Sequence, residues 1–134
     1  MQEQLVSFKV AKLAKEKGFD IPVLNCYNEN GELGDVESLC FVNYNQFKDV
    51  DGSNTNMYSA PTKSLLQKWL REKHNILVEP CWEGTHEIYS INYRIIILGN
   101  TIYKDFRGCF DGQSYEQALE VGLQEALKLI NNYE

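Results

Sequence analysis

The pattern of apolar positions has a helical period in three segments of the chain. In the first, Val6, Val10, Leu13 and Ala14 fall at i, i+4, i+7 and i+8, and neither Gly nor Pro interrupts residues 4–17. Similar spacing, with polar residues on the opposite side, recurs over residues 59–74 and residues 114–130. These three segments are therefore predicted to be amphipathic helices.

Residues that start or end a helix stand at the boundaries of these segments. Gly18 follows a cationic last turn and precedes apolar Phe19, which predicts a left-handed residue just after the first helix. Pro61 suits the first turn of the second helix, for which Ser59 and Thr62 are the candidate caps, and Asn75 is predicted to end it. Ser114–Gln117 has the spacing of a capping box and predicts the start of the third helix.

Segments rich in β-branched and aromatic residues alternate with these helices and are predicted to be strands. They cover residues 21–27, 39–47, 76–82, 87–98 and 101–106. After the first of them, Asn30-Gly31 predicts a tight hairpin turn, because both residue types adopt the positive φ angles that such a turn requires. The uninterrupted run Ile95–Leu98 is typical of a central strand that is covered on both faces. Residues 48–58 form the most loop-like stretch.

The predicted order of elements is α-β-β-α-β-β-β-α. Strands that follow one another through short turns favour a mostly antiparallel sheet, and amphipathic helices need such a sheet to cover their apolar faces. No repeat, linker or low-complexity segment divides the chain. The sequence therefore predicts an α+β fold in which residues 1–134 form a single two-layer domain, with the helices packed on the sheet.

Composition and charge narrow the classes of protein. The chain has 134 residues, 43% of them hydrophobic, and a net charge of −6, which argues against a disordered chain and against a surface that coats nucleic acid. No run reaches the roughly 20 apolar residues of a membrane span, and the first residues lack the basic and apolar regions of a signal peptide. The expected compartment is the cytoplasm.

Candidate chemistry is sparse. The four cysteines contain no CxxC pair, and reduced structural thiols are expected. His74, Cys81 and His86 lie close in sequence, but their spacing matches no standard zinc pattern. No phosphate loop or dinucleotide fingerprint occurs. The sequence thus predicts no catalytic residue, no metal and no cofactor, and it favours a protein that is not an enzyme.

The second helix is the one concentrated basic element, since residues 59–74 contain four Lys and Arg but only one Glu. A compact domain without a catalytic constellation favours surface recognition, so the leading hypothesis is a non-enzymatic macromolecule-binding domain that contacts another protein. The predicted binding surface is this helix with the loop before it, through Tyr58, Lys63, Lys68, Arg71 and Lys73. The alternatives are nucleic-acid binding through the basic helix 62–74 and, further, a small hydrolase or metal enzyme. Association of two copies through a strand edge is also compatible with the pattern, which does not decide it.

The amino-acid sequences of several segments resemble those of a family of small uncharacterised proteins that are encoded by phages and prophages of gut Bacteroides and their relatives. The matching segments cover all three helices, more than a third of the chain, at residues 4–8, 11–20, 59–76 and 114–130. The resemblance implies a mobile-element protein that works in a bacterial cytoplasm. The expected partner of such an accessory protein is a host or phage protein. It implies no activity, and it transfers no functional residue to this chain.

Overall fold

The structure is a computed structural model that describes residues 4–34, 41–46, 57–84, 89–98, 103–108 and 115–130. Within residues 81–84, 89–93, 98, 103–108 and 115–116 it describes the backbone alone. The fold separates into two compact units. One comprises Leu5–Thr62, here called the 5–62 unit, and the other comprises Lys63–Glu134 with Met1–Gln4, here called the 63–134 unit. The prediction of one domain over residues 1–134 stays a prediction.

The first helix, α1, spans Phe8–Glu16 in the 5–62 unit, and a capping motif defines each of its ends. Ser7 is the N-cap, and its hydroxyl oxygen accepts a hydrogen bond from the Val10 amide. At the other end Gly18 has a φ of +90°, the Gly18 amide donates to the Lys15 carbonyl, and the Phe19 amide donates to the Ala14 carbonyl. These are the two bonds of a Schellman motif, so the predicted helix end is confirmed.

The strands of the 5–62 unit are short, and one prediction for them is wrong. Strand β1 (Cys26–Tyr27) pairs antiparallel with β2 (Tyr58–Ser59), which lies at the end of the stretch predicted to be loop. Of the predicted strand 39–47, residues 41–46 are described, and they contain a single bridge from Val42 to Val23 and a 3-10 turn at Tyr44–Gln46. Residues 48–56 lie outside the described part of the chain.

The side-chain amide of Asn45 fixes the position of β2 through two hydrogen bonds. The Asn45 Nδ2 donates to the Phe19 carbonyl oxygen at 2.9 Å, and the Asn45 Oδ1 accepts from the Ser59 amide at 2.8 Å. One side chain thereby joins the end of α1 to β2. Hydrogen bonds from a side chain to the backbone compete with strand pairing. The two bonds of Asn45 therefore favour the 3-10 turn of its segment over a longer strand.

The turn predicted at Asn30-Gly31 exists, but its chemistry differs from the prediction. Gly31 has a φ of +82°, as predicted, whereas Asn30 does not take a positive φ. The turn depends instead on Asn28, whose Oδ1 accepts from the amides of Asn30 and Glu32 at 2.9 and 3.0 Å. A Cβ at Gly31 would lie 2.8 Å from the Phe8 ring, so glycine is required here by close approach as well as by φ.

The 63–134 unit contains the longer elements. Helix α2 spans Lys63–His74, and Asn75 follows it with a φ of 56°, which confirms the predicted end of this helix. The helix begins directly after Thr62, one of the two predicted caps. The other, Ser59, belongs to β2, and Pro61 lies before the helix and not in its first turn. Strands β3 (Ile76–Gly84), β4 (Tyr89–Leu98) and β5 (Tyr103–Gly108) follow, and helix α3 spans Tyr115–Leu129. Ser114, the predicted N-cap of α3, lies outside the described residues.

The three strands form one antiparallel sheet in the order β3-β4-β5. Its register sets Ile76 opposite Ile97 and Val78 opposite Ile95, and all four side chains are buried. Ile96, which points to the other face, is buried as well. Burial of consecutive residues on both faces confirms the prediction of a central strand.

Helices α2 and α3 pack against each other and against β3, and α3 also packs against β4. The apolar stripe of α3 contributes Ala118, Leu123, Ala126 and Leu127, all fully buried. The α+β fold with antiparallel sheets and helices packed on them is therefore confirmed, and so is the order α-β-β-α-β-β-β-α. The strands are divided between two sheets, because β1 pairs with β2 within the 5–62 unit.

Candidate functional site

Helix α2 has one buried and one exposed face, as its amphipathic pattern predicts. Leu66, Trp69 and Leu70 are buried. The exposed residues of the helix are mostly charged: Ser64, Lys68, Arg71, Glu72 and Lys73. Basic residues in its last turn also interact favourably with the negative end of the helix dipole.

The exposed cations do not all share one face. With about 100° of rotation per residue, Lys68 and Arg71 lie about 60° apart around the helix axis, whereas Lys73 is about 140° from Lys68. Glu72 lies one turn after Lys68 and shares its side of the helix. Neither Lys68 nor Arg71 has an ion-pair partner among the residues that the structure describes. We define Lys68, Arg71 and Glu72 as the α2 face.

Lys63, which the sequence placed on the binding surface, has a structural position. Its side chain is buried, and its Nζ lies 3.7 Å from Oε2 of Glu120 on α3. The Nζ also donates to Oε1 of Gln4 at 3.1 Å, while the Lys63 amide donates to the Gln4 carbonyl. Because this ammonium group joins three segments of the 63–134 unit, it does not contribute to the α2 face.

Tyr58, the remaining predicted residue, lies in the other unit. It is half-buried on β2, and its ring centroid is 5.4 Å from that of Phe8 in an edge-to-face arrangement. The Phe8 ring is also 5.6 Å from the Tyr27 ring. The Lys15 Nζ lies 4.8 Å from the centre of the Tyr58 ring and donates to the Met57 carbonyl. Tyr58 is thus held by contacts within its own unit and is not part of the α2 face.

Sequence reasoning missed this aromatic cluster of Phe8, Tyr27 and Tyr58. Phe8 lies in the first predicted helix and Tyr27 in a predicted strand, and no local signal indicates that the two would meet Tyr58, which is far along the chain. The Tyr27 hydroxyl donates to the Val6 carbonyl at 2.6 Å, so this ring also secures the segment that leads into α1. The cluster stabilises the 5–62 unit and leaves its rings partly exposed.

Reactive or metal-binding groups are scarce in the described part of the chain. Across those residues there is no group of three or more His, Cys, Asp or Glu side chains that could hold a metal ion. His74 packs its ring edge-to-face with Trp69 at 4.7 Å. Cys26 is a free thiol in β1, and burial raises its pKa. A nucleophilic cysteine requires the opposite shift, because the thiolate is the reactive form.

The Cys26 thiol is expected to react slowly with iodoacetamide in the native protein at neutral pH, because burial both shields it and disfavours its thiolate. Peptide mapping by mass spectrometry should find the Cys26 peptide far less alkylated in native than in urea-unfolded protein. Alkylation should accelerate as the pH rises towards the raised pKa. Rapid native labelling of Cys26 at neutral pH would contradict this assignment and revive a thiol enzyme.

Within the described residues, no helix combines the length and the apolar composition that crossing a membrane requires. Comparison of the chain with protein-family models, with curated proteins and with solved structures finds no match. The candidate sites therefore rest on the geometry of this chain alone.

Proposed function

We propose that this chain is a non-enzymatic binding protein whose α2 face contacts an acidic surface of another protein. The observation that carries the proposal is the pair of exposed cations, Lys68 and Arg71, on one side of a helix whose opposite side is buried. Arginine is enriched in protein interfaces, and cations set beside an acidic patch steer association and fix register. The resemblance to phage and prophage proteins supports an accessory role in a bacterial cytoplasm, with a host or phage protein as the partner.

Three features favour a protein partner over nucleic acid. Nucleic-acid binders with strong affinity neutralise several phosphates, often about 6–10, whereas the α2 face offers two cations. Glu72 on the same side would repel the phosphates, which follow one another along the whole length of a nucleic acid. The chain as a whole carries a net charge of −6, which disfavours a polyanion. Nuclease treatment distinguishes a protein partner from nucleic-acid binding through helix 62–74.

The test is capture of partners from a Bacteroides lysate by the tagged full chain, with and without nuclease, read by mass spectrometry. A partner retained after nuclease treatment should be lost, or bound roughly tenfold more weakly, when Lys68→Glu and Arg71→Glu are combined, because two attractive charges become repulsive. Glu72→Lys should strengthen the same capture. The double variant should keep its free energy of unfolding within about 1 kcal/mol, since both side chains are exposed.

The matched control is Lys9→Glu combined with Lys12→Glu, two exposed lysines on α1 in the other unit. It changes the net charge by the same amount and should leave capture unchanged. Equal loss in both double variants would contradict the α2 face, because net charge alone would then explain binding. Partners that disappear with nuclease, through an affinity that falls steeply with salt, would assign the helix to nucleic acid.

A further inference from the structure

The two outer strands of the β3-β4-β5 sheet differ in their capacity to accept another strand. On β3, Pro80 has no amide proton to offer, and the Val78 carbonyl already accepts a hydrogen bond from the Gln67 side-chain amide of α2. Both residues have even numbers, so they direct their backbone groups to the same side of the strand. That side is the one away from β4, since a proline is tolerated where no ladder bond is lost. The outer edge of β3 is therefore blocked.

The outward-facing positions of β5 follow from the register. If Val78 directs its backbone groups away from β4, its partner Ile95 directs its own groups towards β5, because opposite residues of an antiparallel pair share one orientation. Ile95 is paired with Phe106, so Phe106 bonds to β4. Asp105 and Arg107 then direct their amide and carbonyl groups outwards. Among the described residues, no strand lies on that side of β5.

We propose that a second copy of this chain occupies the β5 edge, as an antiparallel β5–β5 pair with Phe106 at the two-fold axis. This dimer goes beyond the proposed function and does not depend on it. In this register Asp105 of each copy stands opposite Arg107 of the other, and these residues exchange the outward-facing backbone bonds. Opposite charges across a strand pair are favourable, as are facing aromatic residues.

The charge sequence of β5 selects this register. Because opposite residues of an antiparallel pair orient their backbone groups alike, a two-fold axis must set one residue of β5 opposite its own copy. The two registers that pair the most residues are centred on Asp105 and on Phe106. Centring on Asp105 sets two carboxylates opposite each other, and the shorter overlaps centred on Lys104 and on Arg107 each set two cations opposite each other; all three are unfavourable. Only centring on Phe106 makes two oppositely charged pairs. The edge is thus self-complementary, as a two-fold dimer requires.

Sedimentation equilibrium of the full chain tests the proposal. The wild-type chain should dimerise, and Asp105→Arg and Arg107→Asp should each weaken the dimer roughly tenfold or more, since each reversal creates like-charged pairs twice across the axis. Combining Asp105→Arg with Arg107→Asp should restore the dimer. Lys104→Glu is the matched control, because residue 104 faces Gly108 of the other copy, and it should leave the dissociation constant unchanged.

Amide hydrogen exchange of the wild-type chain, measured at several protein concentrations, tests the same interface without any substitution. The amides of Asp105 and Arg107 should become more protected as the protein concentration rises, whereas that of Phe106, already bonded to β4, should not change. A chain that stays monomeric at the highest concentration overturns the proposal. A dimer that neither reversal weakens, or in which the Asp105 and Arg107 amides gain no protection, overturns it as well, because its interface would lie elsewhere.

Discussion

Phe19→Ala is expected to lower the free energy of unfolding by about 3–5 kcal/mol, the usual cost of removing a buried phenyl ring. The Phe19 side chain is 1% exposed and is among the largest fully buried side chains in the described part of the protein. It also follows Gly18 in the Schellman motif, where its apolar ring folds back on the end of α1. Its carbonyl accepts from Asn45, so a cavity here would loosen the support of β2 as well.

The measurement is urea denaturation followed by far-UV circular dichroism, with the slope of the transition compared between variants. Phe41→Ala is the matched control, because the same atoms are removed from a side chain that is 68% exposed. It should change the free energy of unfolding by no more than about 0.5 kcal/mol. Similar losses in the two variants would contradict the packing described for the 5–62 unit.

Lys63→Ala is expected to lower the free energy of unfolding by about 3 kcal/mol, the lower end of the range for breaking a buried ion pair. The side chains of Lys63 and Glu120 are 10% and 19% exposed, so removing the ammonium leaves a carboxylate that is largely withdrawn from water. The Gln4 carboxamide loses its donor in the same change. The effect exceeds that of a surface pair, which rarely contributes more than about 1 kcal/mol.

Two further variants separate the ion pair from other causes. Lys63→Met combined with Glu120→Leu should regain most of the lost stability, since apolar residues of similar volume often replace a buried pair without loss. Lys68→Ala removes an exposed lysine from the same helix and should be neutral within about 0.5 kcal/mol. If Lys63→Ala were as neutral as Lys68→Ala, the structural assignment of Lys63 would be wrong.

Local rules predicted the helices well, because their signals lie within a few residues. The end of α1 at Gly18 and Phe19 and the end of α2 at Asn75 follow from the residue types that tolerate positive φ. The apolar run at 95–97 identified the central strand, since continuous burial of both strand faces leaves a distinct sequence pattern. These features need no information about distant segments.

The short strands could not be predicted in this way. Residues 39–47 have strand-like composition, yet only Val42 of the described part makes a bridge, while Tyr58 and Ser59 pair with β1 from a stretch that looked like a loop. Strand formation depends on an available partner edge, which is a property of the whole fold. Asn45 shows the competition directly, since its side chain occupies backbone groups of Phe19 and Ser59.

The sequence by itself determined the α+β class, the order of the three helices and the three long strands, and the basic character of α2, because periodicity and charge can be read from each segment alone. Only the tertiary structure separated Lys63, buried against Glu120, from Lys68 and Arg71, which stay exposed on the same helix. Tertiary pairing likewise brought Phe8, Tyr27 and Tyr58 together. The reason is physical: burial and contact depend on segments that are distant in sequence, and a local pattern does not specify which of them meet.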